Sequence, residues 1–558
     1  MSTIQSSYCA PSPVLEPLLE EVFGWRCHMS GDRTFWFRGA VHGRTEEMLA
    51  RDIETLSPDS VAAWLNSLNG HFSLVIIGPN WSLAAVDPVR GYPLIWAQQG
   101  TQLYVTHSGQ AMCQRMGLNP AALDPAQADA FALGGFTIGA RTIFRDVHQL
   151  APGTFLLIQP GRETAVAAYH TWQPTCATDA TVGDLVEPLS RLNEQLISDL
   201  VTSAAGRPIL VPLSAGVDSR FVVSGLAAAG YTNVQCLAYG RPGNREMVIG
   251  REIAQRLGYA WDFVPYSNKF VGTAWATADH QAQYAYADSL TAIPFPQDYP
   301  ALAALRAEGR LDPESIVVNG QSGDFTSGNH IPRAMIDHDG GSPEQRMNRI
   351  LNALIAKHFK HWPSLATPER IIQIKALLAQ EIDRAGGLPS DPGRDHGVYE
   401  YSEFADRQAK YVVNGQRVYE FMGLSWRLPL WERASLNFWE RAPLPAKANQ
   451  RLYREVLMRD NWGGVWRDIP INPTRIRPLW LNYSRLLLKA LHVPLGSARW
   501  HRFERRYLNY WMSPLCAYAE WPYREIVRDG RNAHGAIAFH IRKYMDRVAG
   551  EDSQWFSR

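Results

Sequence analysis

The chain has 558 residues, 46% hydrophobic and 20% charged, the proportions of a globular protein with a sizeable core. Its 55 Lys and Arg against 54 Asp and Glu leave a net charge of +1, which gives no overall electrostatic footprint for nucleic acid or an anionic membrane. Wide disorder is excluded by 19 Trp, 22 Tyr and 20 Phe. No apolar run approaches the ~18 residues that span a bilayer. The N-terminus lacks the basic start and apolar stretch of a secretory leader. The six Cys form no CxxC pair, so neither a disulfide scaffold nor a structural zinc site is expected. These features describe a cytoplasmic protein with reduced thiols. At roughly 100–200 residues per domain the length suggests two to four domains.

Short apolar strands between turns dominate the first part of the chain. His71–Gly78 and Trp81–Asp87 read as a hairpin around Gly78-Pro79-Asn80, and Pro93–Gln98 with Gln102–Thr106 as a second. Pro120–Gly135 contains a helix with Asp124 as N-cap and Pro125 at its first position. Gly153–Gln159 and Thr164–Tyr169 close this part as a last hairpin, giving an α+β layered domain. The Thr-, Pro- and Asp-rich stretch Trp172–Asp184 marks a boundary, so domains of 1–175 and 185–558 are expected. The second opens with helix Leu185–Ser203, strand Pro208–Leu213, helix Val217–Ala229, strand Val234–Ala238, helix Arg245–Leu257 and strand Trp261–Val264. That alternation predicts a parallel sheet covered by helices. After Ser267 the chain reads as mostly helical, with one strand at Ser315–Val318 and a loop at Gly386–Gly397.

The strongest motif is Ser214-Ala215-Gly216-Val217-Asp218-Ser219, placed where a strand ends and a helix begins. Its small residues let a ligand approach the backbone, and the helix N-terminus offers unpaired N–H donors and a positive dipole end. Ser214 and Ser219 add hydroxyls. A carboxylate at Asp218 beside a phosphate needs a bridging cation, and Mg²⁺ is the natural one. The same turn also suits a plain helix cap, and local physics leaves the two readings even. The stretch lacks the Walker and dinucleotide-binding patterns. A second strand runs into Asn319-Gly320-Gln321-Ser322-Gly323-Asp324. Two such loops in one parallel sheet, each carrying an Asp, favour a phosphate–Mg²⁺ site.

Taken with these loops, the sequence resembles the asparagine synthetase family. Ser214–Ser219 is similar to its pyrophosphate loop with Ala215 for a Gly, Tyr239-Gly240 with Glu246 to its second strand, and Gly320–Asp324 to its second Gly-rich loop. Gly423–Glu432 is similar to its later Arg-x-Pro segment. Leu68–Phe72, Asp87–Leu94 and Leu150–Gly153 resemble the glutaminase-like domain that these enzymes carry. The resemblance implies a nucleophile-hydrolase-like layered domain followed by an α/β adenine-nucleotide α-hydrolase-like domain with a large helical part. It implies an ATP-dependent ligase that adenylates a carboxylate, releases AMP and pyrophosphate, and transfers ammonia or an amine. Ser214, Gly216 and Ser219 would cradle pyrophosphate, with Ala215 and Val217 completing the loop. Asp218 and Asp324 would hold Mg²⁺, and Leu213, Tyr239, Asn319 and Gly320 would border the adenine and ribose. Substrates in keeping with the family are a sugar uronic acid for a surface polysaccharide, a β-amino acid closing to a lactam, or a lasso-type peptide. Asparagine synthesis itself and a non-catalytic nucleotide-binding relic are the alternatives. No nucleic-acid partner is expected, and the oligomeric state stays open.

The chain departs from the family in several places. Position 2 is Ser2 where glutamine-hydrolysing members expose a Cys, the nearest thiol is Cys9, and Arg38-Gly39-Ala40-Val41 replaces the glutamine-holding stretch. Gln450 takes the place of the active-site Lys, leaving Lys447 or Arg451 to supply the cation. Gln321 and Ser425 stand where acids are frequent. Tyr284, Tyr286 and Phe295 read as core, His330 and His338 as surface histidines, and the Arg-rich stretch Trp500–Tyr507 as a partner or helix-packing face. The first domain is therefore expected not to hydrolyse glutamine. Purified protein should release glutamate from glutamine at background rate, with or without ATP; release that disappears in Ser2→Ala would contradict this.

Overall fold

The computed structural model describes residues 13–175, 179–337, 340–473, 476–550 and 554–556. Ser2, Cys9 and His338 lie outside them. The chain forms two compact units, one of residues 13–124, 140–171 and 288–291, the other of the remaining described residues. Two segments thus depart from a simple cut at residue 175. Helix α4 (Pro125–Gly134) belongs to the second unit, and its residues 127–134 are all buried, the polar Gln127 among them satisfied by Ile138 N–H at 2.8 Å. Its Phe131 ring stacks on Tyr544 at 4.5 Å. Residues 288–291 join the first unit, where the Asp288 carbonyl accepts from Gly109 N–H at 2.8 Å and the Leu290 carbonyl from Ile143 N–H at 3.0 Å.

In the first unit, β1 (Val14–Pro17), β7 (Gln102–Thr106), β6 (Ile95–Gln99) and β8 (Val147–Gln149) form one sheet in that order. A second sheet runs β10 (Ala165–Ala168), β9 (Thr154–Ile158), β5 (Ser82–Val86), β4 (Gly70–Ile77), β3 (Arg33–Val41), β2 (Arg26–Ser30). Side-chain alternation builds the layers. Phe72, Leu74 and Ile76 of β4 face a core shared with α1 (Glu46–Thr55) and α2 (Val61–Ser67). Val75, Ala84 and Val86 face the opposite core, with Leu103 and Val105 of β7. The three expected hairpins are present within one or two residues, and a fourth, β2 to β3 around Gly31-Asp32, was not anticipated although its turn carries a glycine at positive φ.

Asp87 is the buried hinge of this unit. It accepts N–H bonds from Phe72 at 3.1 Å, Val89 at 2.8 Å and Gly91 at 2.8 Å. Burial raises its pKa against the opposing pull of His71 and these bonds.

The second unit holds a parallel sheet in the order β13 (Ala260–Pro265), β12 (Val234–Gly240), β11 (Ile209–Pro212), β14 (Ile316–Val318), β15 (Ser425–Arg427). Ile209, Leu210 and Val211 are fully buried, as in a strand covered on both faces. Helices α5 (Val186–Ala204), α6 (Asp218–Ala228) and α7 (Arg245–Leu257) match the expected alternation. The strand Ser425–Arg427 was not anticipated, since three residues carry no readable period. The stretch expected as loop at Gly386–Gly397 gives way to helix Asp395–Glu403, whose buried polar face left no apolar stripe to read. Among the described residues no helix is long and apolar enough to cross a membrane.

Replacing Asp87 with Ala would remove the shared acceptor of the Phe72, Val89 and Gly91 N–H groups. Urea unfolding should show a loss of at least ~2 kcal/mol, the size of leaving buried donors unmade; an unchanged midpoint would show that the turn holds without its carboxylate.

Candidate functional site

The chain leaves β11 on one side through β12 and β13, then returns to β14 on the other. Adjacent strands β11 and β14 therefore diverge at their C-terminal ends, the place where open parallel sheets form a ligand crevice. Both Gly-rich loops emerge there. In the first, Ala215, Val217 and Ser219 are buried, while Ser214 is exposed and Gly216 and Asp218 are half-buried. Ala215 and Val217, with Leu213, belong to the hydrophobic core and fix the loop from beneath. Ser219 Oγ accepts from Ser214 N–H at 2.9 Å and lies 2.9 Å from Ser214 Oγ, which in turn accepts from Gly216 N–H at 3.2 Å. The Ala215 N–H donates to Glu246 of α7 at 2.5 Å, so a carboxylate already sits on one loop donor.

The two loops meet through Asp218. Asp324 N–H donates to Asp218 Oδ2 at 2.8 Å. Asp218 Oδ1 is buried and has no hydrogen-bond partner among the described residues, with the Gly323 N–H as weaker support nearby. Burial pushes the Asp218 carboxyl well above the usual range, and the Asp324 charge adds to it. Gly320 is required by this approach: a Cβ there would stand 2.3 Å from the Asp218 carbonyl carbon and 2.4 Å from Ser219 N. A Cβ at Gly323 would stand 2.8 Å from Asp218 Oδ1. Gly320 thus serves the contact between the loops.

Two contributors were invisible in the sequence. His330, expected at the surface, bridges Asp324 and the buried Glu403. Its Nε2 lies 3.3 Å from Asp324 Oδ2, and its Nδ1 is bonded to Glu403. Glu403 also receives Lys357, His358, Tyr399 and Gln408, each at 3.1 Å. Burial pulls the His330 pKa down, but its bonds to Asp324 and Glu403 outweigh it and raise the group to about 9. Asp324, opposed by burial, is drawn below the usual carboxylate range by the same histidine. The second is Tyr453, a buried side chain whose hydroxyl has no partner among the described residues. Burial and the charges of Asp218 and Asp324 raise its pKa, and its ring packs against Phe221 of α6 at 6.4 Å.

Other expected residues are placed differently. Lys447 is fully buried and ion-paired with Glu400 at 2.7 Å, because a cation without water needs a counter-charge. It is not presented to a phosphate. Arg451 is exposed at the start of helix Arg451–Asp460. Gln450 reaches the second loop instead, its Nε2 donating to Ser327 Oγ at 2.9 Å. The Tyr239 hydroxyl is bonded to Asp298, which also accepts from Tyr419 at 2.6 Å, and Asn319 Nδ2 donates to Gln416 at 3.2 Å. Tyr239 and Asn319 thus brace strand ends. The Leu213 side chain is core. Buried Arg220 ties α6 to the following segment, donating to the carbonyls of Ile469 at 2.8 Å and Pro470 at 2.9 Å.

Among the described residues no cluster of three or more His, Cys, Asp or Glu could hold a metal by itself. The pair Asp218 and Asp324 suits a cation that takes its other ligands from phosphate and water, as Mg²⁺ does. The orphaned Asp218 Oδ1 and the repulsion between the two carboxylates fit such a cation. Beside His330 lies a cavity of about 310 Å³, lined by Gly135, Phe136, His330, Lys357, Lys360 and Arg407 among others.

No protein-family model and no curated protein sequence matches the chain. Among solved structures it is similar to the allosteric regulatory enzyme of purine biosynthesis, at 12% identity and a TM-score of 0.19 over 42% of this chain and 61% of that one. It is also similar to glutamine phosphoribosylpyrophosphate amidotransferase from B. subtilis complexed with ADP and GMP, at 11% identity and a TM-score of 0.18 over 52% and 63%. The chain thus spans less than two thirds of either protein.

His330 sets a pH signature. A raised histidine stabilises fully below its ordinary value of 6.5 and loses that contribution as pH rises through about 9. The stability gap between wild type and His330→Gln, read by urea unfolding, should be widest below pH 6.5 and close above pH 9. A gap independent of pH would show that His330 is neutral in the fold.

Proposed function

We propose that the second unit is an ATP-dependent ligase that adenylates a carboxylate, releases pyrophosphate and passes the acyl group to ammonia or an amine. The observation that carries this reading is the buried, unpartnered Asp218 oxygen where two glycine-rich strand ends meet, beside Asp324. Ser214, Gly216 and the first turn of α6 would receive the two leaving phosphates. Asp218 and Asp324 would hold Mg²⁺, which supplies neutralising charge to the pyrophosphate when bound. Loop donors aimed at the leaving group stabilise charge on pyrophosphate, so cleavage falls between the α- and β-phosphates.

The cationic cavity beside His330 supports an anionic acceptor. Lys360 and Arg407 make no ion pair among the described residues, and the Glu403 charge is offset by Lys357 and His330. The layered first unit supports a glutaminase-like fold, and Arg38-Gly39-Ala40 in place of a glutamine-holding stretch supports its being inactive. A second reading, nucleotide binding without turnover, is favoured by the pairing of Lys447 with Glu400 and by Gln450 at the lysine position.

ATP–pyrophosphate exchange against a panel of carboxylates separates the two readings. The ligase should form AMP and pyrophosphate with one of them, and Asp324→Asn should cut turnover by at least ~10², the size of losing one strong electrostatic contact. ADP and phosphate as products, or full activity in Asp324→Asn, would overturn adenylation.

A further inference from the structure

The charge balance of the whole chain conceals a strongly basic segment near its end. Between Asp468 and Glu520 the sequence has eight Lys and Arg against a single acid, Glu504. The segment contains helix Leu479–His492, which packs through Leu481 on Trp500 and Leu508 in a small core of its own. The opposite side of the helix is open. Trp480 is 60% exposed, Tyr483 68%, Leu487 65% and Leu491 64%, and Val493 just beyond is 73% exposed. At 100° per residue the exposed apolar positions fall within an arc of about 140°, while Arg485 and Lys489 lie across the helix from it. Scattered surface leucines are ordinary; a whole helix face of aromatic and aliphatic side chains is not.

The segment that gives Trp500 and Leu508 to that small core also lines a cavity of about 420 Å³ with Arg502, Arg505 and Arg506, which Arg531 joins from further along the chain. The facing acid, Asp529, is engaged by Arg531 at 2.7 Å and Arg542 at 3.4 Å. Arg505 Nε is buried without a hydrogen-bond partner among the described residues. The cavity is thus cationic with donor capacity unused.

We propose that this region docks on an anionic phospholipid surface: Trp480, Tyr483, Leu487 and Leu491 enter the headgroup boundary, and the arginine-lined cavity takes lipid phosphate. Arg485 on the packed side is engaged by Glu504 at 2.5 Å, so the helix supplies the apolar face and the exposed Arg502 and Arg506 of the following segment supply the charge, which together have the chemistry for it. The local positive excess selects an anionic surface. The apolar face distinguishes lipid from nucleic acid, whose phosphates reward cations alone. The proposal does not depend on the ligase reading.

The test is co-sedimentation of the full chain with vesicles of phosphatidylcholine alone and of phosphatidylcholine with phosphatidylglycerol. The chain should pellet with the second kind only. The double variant Trp480→Ser, Leu487→Ser should bind at least ~10-fold more weakly with an unchanged melting curve, because both side chains are exposed. Arg502→Glu should weaken binding in a salt-dependent way. No pelleting, equal pelleting with both vesicles, or undiminished binding by the double variant would overturn it. So would a solution dimer abolished by Trp480→Ser, Leu487→Ser without any vesicle binding, or an RNA complex in place of vesicle binding.

Discussion

The second unit depends on a single awkward carboxylate. Asp218 sits at the first position of a helix, half under a neighbouring loop, with one oxygen tied to the Asp324 N–H and the other without a hydrogen-bond partner among the described residues. A buried anion beside a second anion is costly unless something positive completes it. Much around it follows from that constraint. Gly320 and Gly323 keep the second loop close enough for its N–H groups to serve the carboxylate. Arg220, two residues along the same helix, anchors the opposite wall to the carbonyls of Ile469 and Pro470. Tyr453, packed on Phe221 of that helix, adds a buried hydroxyl with no partner among the described residues.

Charge is graded away from this point. Asp324 is held ionised by His330, His330 is held protonated by Asp324 and Glu403, and Glu403 gathers Lys357 and His358 behind it. Alternating charges in a partly buried row support each other's ionisation and fix side-chain positions. They also deliver positive potential to the wall of the adjoining cavity, where Lys360 and Arg407 add to it. The row thus runs from the loop contact at Asp324 to the cavity that His330 and Lys357 line.

Sequence legibility followed distance along the chain. The loop Ser214–Ser219 was readable because its parts are contiguous, and helix Arg245–Leu257 because Asn244 caps it and Gly258 ends it. His330 was not, because its partner Glu403 is 73 residues away and no local spacing links them. The pairing of Lys447 was hidden for the same reason: its charge was visible, but Glu400, which claims it, lies in a helix with no apolar stripe. The three residues of β15 were too few to show a period. The exposed helix Leu479–His492 shows the converse, since its apolar positions resemble a core stripe and only the folded chain reveals that most of them face outward.

The central claim is that the two strand-end loops form one nucleotide–Mg²⁺ site completed at Asp218. Titration calorimetry with Mg²⁺ and a non-hydrolysable ATP analogue tests it without knowledge of the acceptor. Wild-type protein should bind one equivalent, with affinity lost when Mg²⁺ is withheld and sharply reduced in Asp218→Asn. Equal affinities for wild type and Asp218→Asn, or no binding to the wild type, would contradict the account.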